Sequence, residues 1–187
     1  MVWLKKDYAS QQDFEKAVLE AVKYGAVHAQ LYFDAHAQDE ETVRGSLVDF
    51  VSRLSSVRGL IFCKGEVLAV IKQPKPESEG AGDEFSSSAQ VDVVADSFNT
   101  LLNVCTDFAP MAVEIIAPSK ISLSAEEMQA VLLDASRAAQ DKAEMLYKQF
   151  LKPEQYEMLS RTLKERIASG KKLLDDAKAR RDAGEKK

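Results

Sequence analysis

The first part of the chain changes from a helical to a strand-like spacing of apolar residues. Phe14, Val18 and Val22 recur every four positions, and Gly25 follows as a residue that commonly ends helices. Over residues 27–34 apolar and polar residues then alternate, which is typical of a strand with one buried face. The pattern predicts a short amphipathic helix followed by a strand.

The same two spacings recur further along the chain. Apolar residues spaced by three and four over residues 39–54 predict a second helix, and acidic residues at its start suit the positive helix end. Residues 59–64 and 88–95 are rich in strand-forming residues and predict two more strands. Residues 66–71 fit either a strand or a short helix. Residues 73–84, which precede the strand over residues 88–95, are rich in proline, glycine and charge. This composition predicts a long hairpin loop or a functional lid.

The middle of the chain ends with a helix and a strand. Residues 97–108 carry apolar positions at helical spacing. Residues 111–117 predict a fourth strand, since Pro110 and Pro118 bracket them and proline is tolerated at strand ends.

Two long amphipathic helices are predicted after residue 124. Ser124 and Glu127 form a capping box at the start of the first, and Pro153 suits the first position of the second. They form either a helical hairpin or an arm that reaches a second subunit. We therefore expect an α+β domain over residues 1–120 and a C-terminal helical hairpin or arm over residues 121–187.

The order of these elements resembles the ferredoxin-like superfold. Residues 27–117 read as two β-α-β units, the βαββαβ order of a four-stranded antiparallel sheet with two helices on one face. The resemblance implies a ferredoxin-like sheet with an added N-terminal helix. It implies no particular function, because this superfold hosts many.

A polar patch is predicted on the sheet face opposite the helices. In the ferredoxin-like order the first and third strands are central neighbours and the fourth flanks the first. His28, Tyr32, Asp92 and Glu114 then lie on one face, where they could bind a small molecule or a metal or transfer protons. A merely solvated or partner-covered face explains the same alternation.

A second polar cluster follows the first predicted strand. Asp34, His36 and Asp39 are residue types that bind metals, and they precede a helix. A plain polar loop explains them equally, since loops favour these residues.

Composition limits the remaining classes of function. No apolar run approaches the roughly 20 residues that span a bilayer, and the N-terminus does not resemble a signal peptide. Cys63 and Cys105 form no disulfide framework or metal motif, which favours reduced thiols and a cytoplasmic protein. The sequence indicates no cofactor, and it lacks the phosphate-binding, nucleophile-elbow and zinc-protease motifs of common enzymes. Catalysis is therefore undecided, and a non-enzymatic role is favoured.

Charge is unevenly distributed along the chain. The net charge is −5, but residues 161–187 contribute +5, which leaves −10 on the rest. Acidic residues on the predicted outer face disfavour RNA binding there. A weaker alternative is nucleic-acid binding by a basic face of the last helix, comprising Lys171, Lys172, Lys178, Arg180 and Arg181.

The long apolar stripe of the C-terminal helices favours an interaction or regulatory protein. Leu159, Leu163 and Ile167 are the residues expected to contact a second copy or another protein. The alternative is a small-molecule or metal sensor, or a modest enzyme, that uses the polar sheet face.

Overall fold

The computed structural model describes residues 2–4, 10–74 and 83–184 of the chain. Within these ranges it is an α+β protein with an antiparallel sheet, as the sequence predicts. The strands are β1 Val2–Leu4, β2 Val27–Ala37, β3 Leu60–Val67, β4 Ile71–Pro74, β5 Asp83–Ala95 and β6 Ala112–Ala117. The helices are α1 Gln11–Lys23, α2 Glu40–Ser55, α3 Phe98–Phe108, α4 Ala125–Phe150 and α5 Pro153–Gly184.

Strand β2 has a sheet neighbour on each side. The strand order is β1-β3-β5-β2-β6, and β4 pairs with β5 beyond the end of β3. Within β2, Gln30 lies opposite Asp92 of β5 on one side and Glu114 of β6 on the other. These two pairings are the neighbour relations on which the predicted polar patch depends.

Helices α2 and α3 cover one face of the sheet, here called the inner face. Val27, Ala29, Leu31 and Phe33 of β2 are buried there with Val91 and Val93 of β5, Val51 and Leu54 of α2, and Leu101 and Val104 of α3. The alternation in β2 follows directly, because successive strand residues point to opposite faces.

Helix α1 packs against the opposite face, here called the outer face. Ser10 caps α1 by accepting a hydrogen bond from the Asp13 N–H. The rings of Phe14 and Phe62 lie 4.4 Å apart between centroids, and Val18 packs into the same cluster. Burial of the apolar stripe of α1 explains this position. Helix α1 therefore covers part of the outer face, whereas the predicted order placed the helices between the strands on the other face only.

Several element bounds differ from the predicted ones. Strand β2 continues to Ala37 because β5 begins at Asp83 and pairs along the whole of β2. Residues 66–71 form no helix, since β3 runs to Val67 and β4 begins at Ile71. Of the predicted loop over residues 73–84, residues 75–82 lie outside the described ranges.

The chain divides into two compact units, residues 1–135 and 136–187, and the division falls within α4. In the second unit, the Tyr156 hydroxyl donates a 2.7 Å hydrogen bond to Glu144 Oε1, which joins α5 to α4. Gly170 does not interrupt α5. None of the helices in the described part of the chain combines the length and the apolar character that crossing a membrane requires.

The close approach of α2 to β3 gives a test of this packing. A Cβ added at Gly65 would lie 2.4 Å from Val51 Cγ1. We expect Gly65→Ala to lower the free energy of unfolding by about 1–3 kcal/mol through overpacking. Combined with Val51→Ala, it should cost less than the two single changes added together, because the smaller side chain makes room. Urea denaturation measures all three variants.

Gly45 provides the control. It lies in α2, the helix that contains Val51, and a Cβ there would meet nothing within 4 Å. Gly45→Ala should raise stability by about 0.5–1 kcal/mol through helix propensity. Strict additivity of the changes at positions 65 and 51 would contradict the close contact.

Candidate functional site

The outer face contains a partly buried histidine–carboxylate pair beneath α1. His28 Nε2 lies 2.6 Å from Asp92 Oδ1, and the two side chains are 12% and 31% exposed. The edge of the Phe14 ring contacts His28, with the ring centroids 5.9 Å apart. This covering fixes the imidazole in orientation and removes most of its contact with water. The pair is built for a stable hydrogen bond and is largely closed to a ligand.

A second polar group lies further along the same face. The Tyr32 hydroxyl is within hydrogen-bond distance of Gln30 Oε1 at 3.1 Å and Glu114 Oε2 at 3.2 Å. Desolvation, and then the hydrogen bond to Glu114 and its negative charge, raise the pKa of Tyr32 above its usual value. Tyr32 is half-buried and Glu114 is exposed, so this end of the patch is the more accessible one.

Gln30 lies between the two groups in the sheet register, and the sequence pattern did not mark it as a site residue. It lies directly opposite Asp92 and Glu114 in the sheet register, and its side chain accepts from Tyr32. The alternation of β2 already placed Gln30 on the outer face. Its central position follows only from the register, which the alternation alone does not give.

The predicted metal residues form a pair and a separate helix cap. His36 Nε2 lies 3.1 Å from Asp34 Oδ2, and both residues are exposed on the extended part of β2. The Asp39 carboxylate instead caps α2, where it accepts hydrogen bonds from the Thr42 N–H and hydroxyl at 2.7 Å each. Within residues 2–4, 10–74 and 83–184, no three His, Cys, Asp or Glu residues are grouped to hold a metal ion.

The residues predicted to form an interface differ in exposure. Leu159 and Leu163 are half-buried, and Ile167 is 60% exposed. In the predicted basic face, Lys171, Lys172 and Arg180 are exposed, whereas the side chains of Lys178 and Arg181 lie outside the described part of the structure.

The hydrogen bonds of the patch determine what it can do chemically. The Tyr32 hydroxyl can donate to a ligand only by giving up its hydrogen bond to Gln30 or Glu114. The carboxylate of Glu114 can still accept a hydrogen bond from a ligand. The geometry suits binding of a polar group more than proton abstraction, because the residue pairs already satisfy each other. A ligand at this patch stays a prediction.

The raised pKa of Tyr32 predicts a pH effect. The folded state holds the phenolic proton more tightly than the unfolded state, so the stabilising contribution is complete below the unfolded pKa of about 10 and is lost as the pH rises through the folded pKa. Subtracting the tyrosinate absorbance of Tyr32→Phe from that of the wild type should give a titration midpoint above about 10. In a Glu114→Ala background the midpoint should fall, since both the hydrogen bond to Glu114 and its negative charge are lost. A midpoint at the ordinary value would contradict the Tyr32–Glu114 contact.

Comparison with known proteins identifies a family. The family model described as the MJ0538 family matches residues 28–166, well over half of the 187 residues. The matched segment begins in β2 with His28 and includes the outer-face residues described above. Its description names no activity, ligand or partner. Neither the curated proteins nor the solved structures contain a match to the chain. The family match covers enough of the sequence to decide membership: the chain belongs to the MJ0538 family.

Proposed function

We propose that the protein is a non-enzymatic interaction protein that binds a second copy of itself through its C-terminal helices. The observation that carries this proposal is the exposure of the second unit, in which no side chain described between residues 136 and 180 is buried. Many of its large apolar side chains are exposed to water instead; the most exposed are Met145, Phe150, Met158, Ile167 and Leu173.

Helices of this kind need a partner for stability. Most helical stability in proteins comes from packing of an apolar face, and intrinsic helix propensity alone leaves helices marginal in water. Within the second unit the Tyr156–Glu144 hydrogen bond contributes little compared with a packed core. An apolar surface shared with another chain would supply the missing burial.

The charge distribution supports a second copy as that partner. The basic end from residue 161 carries +5, and the remaining residues carry −10. The basic end of one copy can attract the acidic part of a second copy. In a two-fold dimer each such contact occurs twice. Leu163 and Ile167 would lie within this contact, flanked by the exposed Lys164 and Lys171.

The finer fold assignment is also part of the proposal. The order β3-β5-β2-β6 of the four longer strands, with α2 and α3 as the connecting helices, supports a ferredoxin-like sheet extended by β1 and β4. Such a sheet provides a scaffold and does not specify an activity.

The state of the two cysteines supports a cytoplasmic location and a non-catalytic role. Cys63 is buried and Cys105 is half-buried, and both are free thiols. Desolvation raises the pKa of Cys105, which disfavours the reactive thiolate. Free buried thiols of this kind suit a reducing compartment.

Light scattering after size-exclusion chromatography tests the assembly. From about 5 to 100 µM the wild type should form a dimer whose fraction rises with concentration. Ile167→Asp and Leu163→Asp should shift it to monomer, because a carboxylate would be buried without a partner. Added salt should weaken the wild-type dimer, since it screens the complementary charges.

Ser169→Asp is the matched control. Ser169 is exposed on α5 and lies about 200° around the helix from Ile167. This variant adds the same charge and should stay dimeric. Cooperative thermal unfolding should confirm that the first unit folds in every variant. A monomeric wild type over the whole range, or a dimer that Ile167→Asp leaves intact, would refute the proposal.

A further inference from the structure

The first unit contains a cavity that is separate from the outer-face patch and from α5. It encloses about 310 Å³ between the end of α1, the beginning of α3, the segment over residues 118–123 and the first turns of α4. Ligand sites in proteins commonly occupy roughly 300–1,000 Å³, so this volume suits a small organic molecule. Much of the wall is apolar; its members include Val22, Ala26, Phe98, Ile121, Leu123 and Val131.

Asn99, one of the residues that line this cavity, carries a polar atom without a hydrogen-bond partner among the described residues. The Asn99 side chain donates from Nδ2 to Asp134 Oδ2 at 2.8 Å. Its carbonyl oxygen, Oδ1, is buried and accepts no hydrogen bond from any described residue. Buried amide oxygens nearly always have a donor in folded proteins. An N–H or O–H group in the cavity would supply one.

The charged residues of the lining favour an anion. Lys23 and Lys120 are exposed, and neither forms an ion pair with a residue that the structure describes. The one carboxylate of this lining, on Glu127, accepts from the Ser124 N–H and hydroxyl at 2.7 Å each. Those hydrogen bonds hold the pKa of Glu127 below its usual value, so it remains ionised and already partnered. The two lysines leave the lining with a net positive charge.

We propose that this cavity binds a small amphiphilic organic anion. Its apolar body packs against the aliphatic and aromatic wall, and an N–H or O–H group donates to Asn99 Oδ1. Its anionic group faces Lys23 and Lys120. This ligand-binding role is additional to the proposed self-association and uses residues that lie outside α5.

Two related dyes test the proposal on the full-length protein. Anilinonaphthalene sulfonate carries an apolar body, an N–H donor and an anionic group, whereas N-phenylnaphthylamine lacks only the anionic group. Fluorescence titration should show saturable binding of both dyes at one site per chain. Lys23→Glu combined with Lys120→Glu should weaken the sulfonate by about tenfold and the neutral dye by less than about twofold.

Further variants separate the parts of the site. Asn99→Leu should weaken both dyes, since both donate through N–H, and Val131→Trp should abolish binding by filling the cavity. The control for charge is Lys16→Glu with Arg58→Glu, two exposed residues outside the lining, which should leave both affinities unchanged.

Three results would overturn the proposal. The first is the absence of saturable dye binding. The second is sulfonate binding that Lys23→Glu combined with Lys120→Glu leaves unchanged. This double variant alters only exposed side chains and should fold normally. The third is dye binding that is lost in Ile167→Asp and retained in Val131→Trp. This result would place the dye on α5 and outside the cavity. A monomeric wild type, by contrast, would refute the self-association without affecting this site.

Discussion

The pairing of β2 with strands on both of its edges is the constraint on which the rest of the structure depends. Its register with β5 runs from Val27 opposite Ala95 to Ala37 opposite Phe85, and β6 pairs with its other edge. Helices α2 and α3 cover one face of this strand, so Ala29 and Leu31 are completely inaccessible. The same pairing turns Gln30 and Tyr32 to the outer face and places Gln30 opposite a carboxylate of each neighbouring strand.

The sequence predicted the features that depend on local spacing. The alternation in β2, the helical spacing in α2 and α3, and the role of Gly25 after α1 all follow from short-range patterns; Gly25 has a positive φ of 96°, which glycine adopts readily. The sequence did not predict the features that depend on tertiary contact. The stripe of Phe14 and Val18 was visible, but nothing in it indicated that α1 would cover His28.

The candidate site shows the same limit. His28, Tyr32, Asp92 and Glu114 were expected on one face, and the structure divides them into a covered pair and a more accessible pair, with Gln30 between them in the sheet register. The cavity beside Asn99 could not be predicted, since its walls come from four separate segments. The two units also contrast sharply: the first has a packed core, whereas the described helices of the second have none. That contrast is the physical reason for the self-association that we propose.

Hydrogen exchange measured by mass spectrometry over a range of protein concentrations tests this account most directly. Amides of β2 and β5 should be strongly protected at every concentration, because their stability comes from the core of the same chain. Amides of α5 should be weakly protected in dilute protein and increasingly protected as the concentration rises. Strong protection of α5 that does not depend on concentration would contradict the account, since the C-terminal helices would then be stable without a second copy.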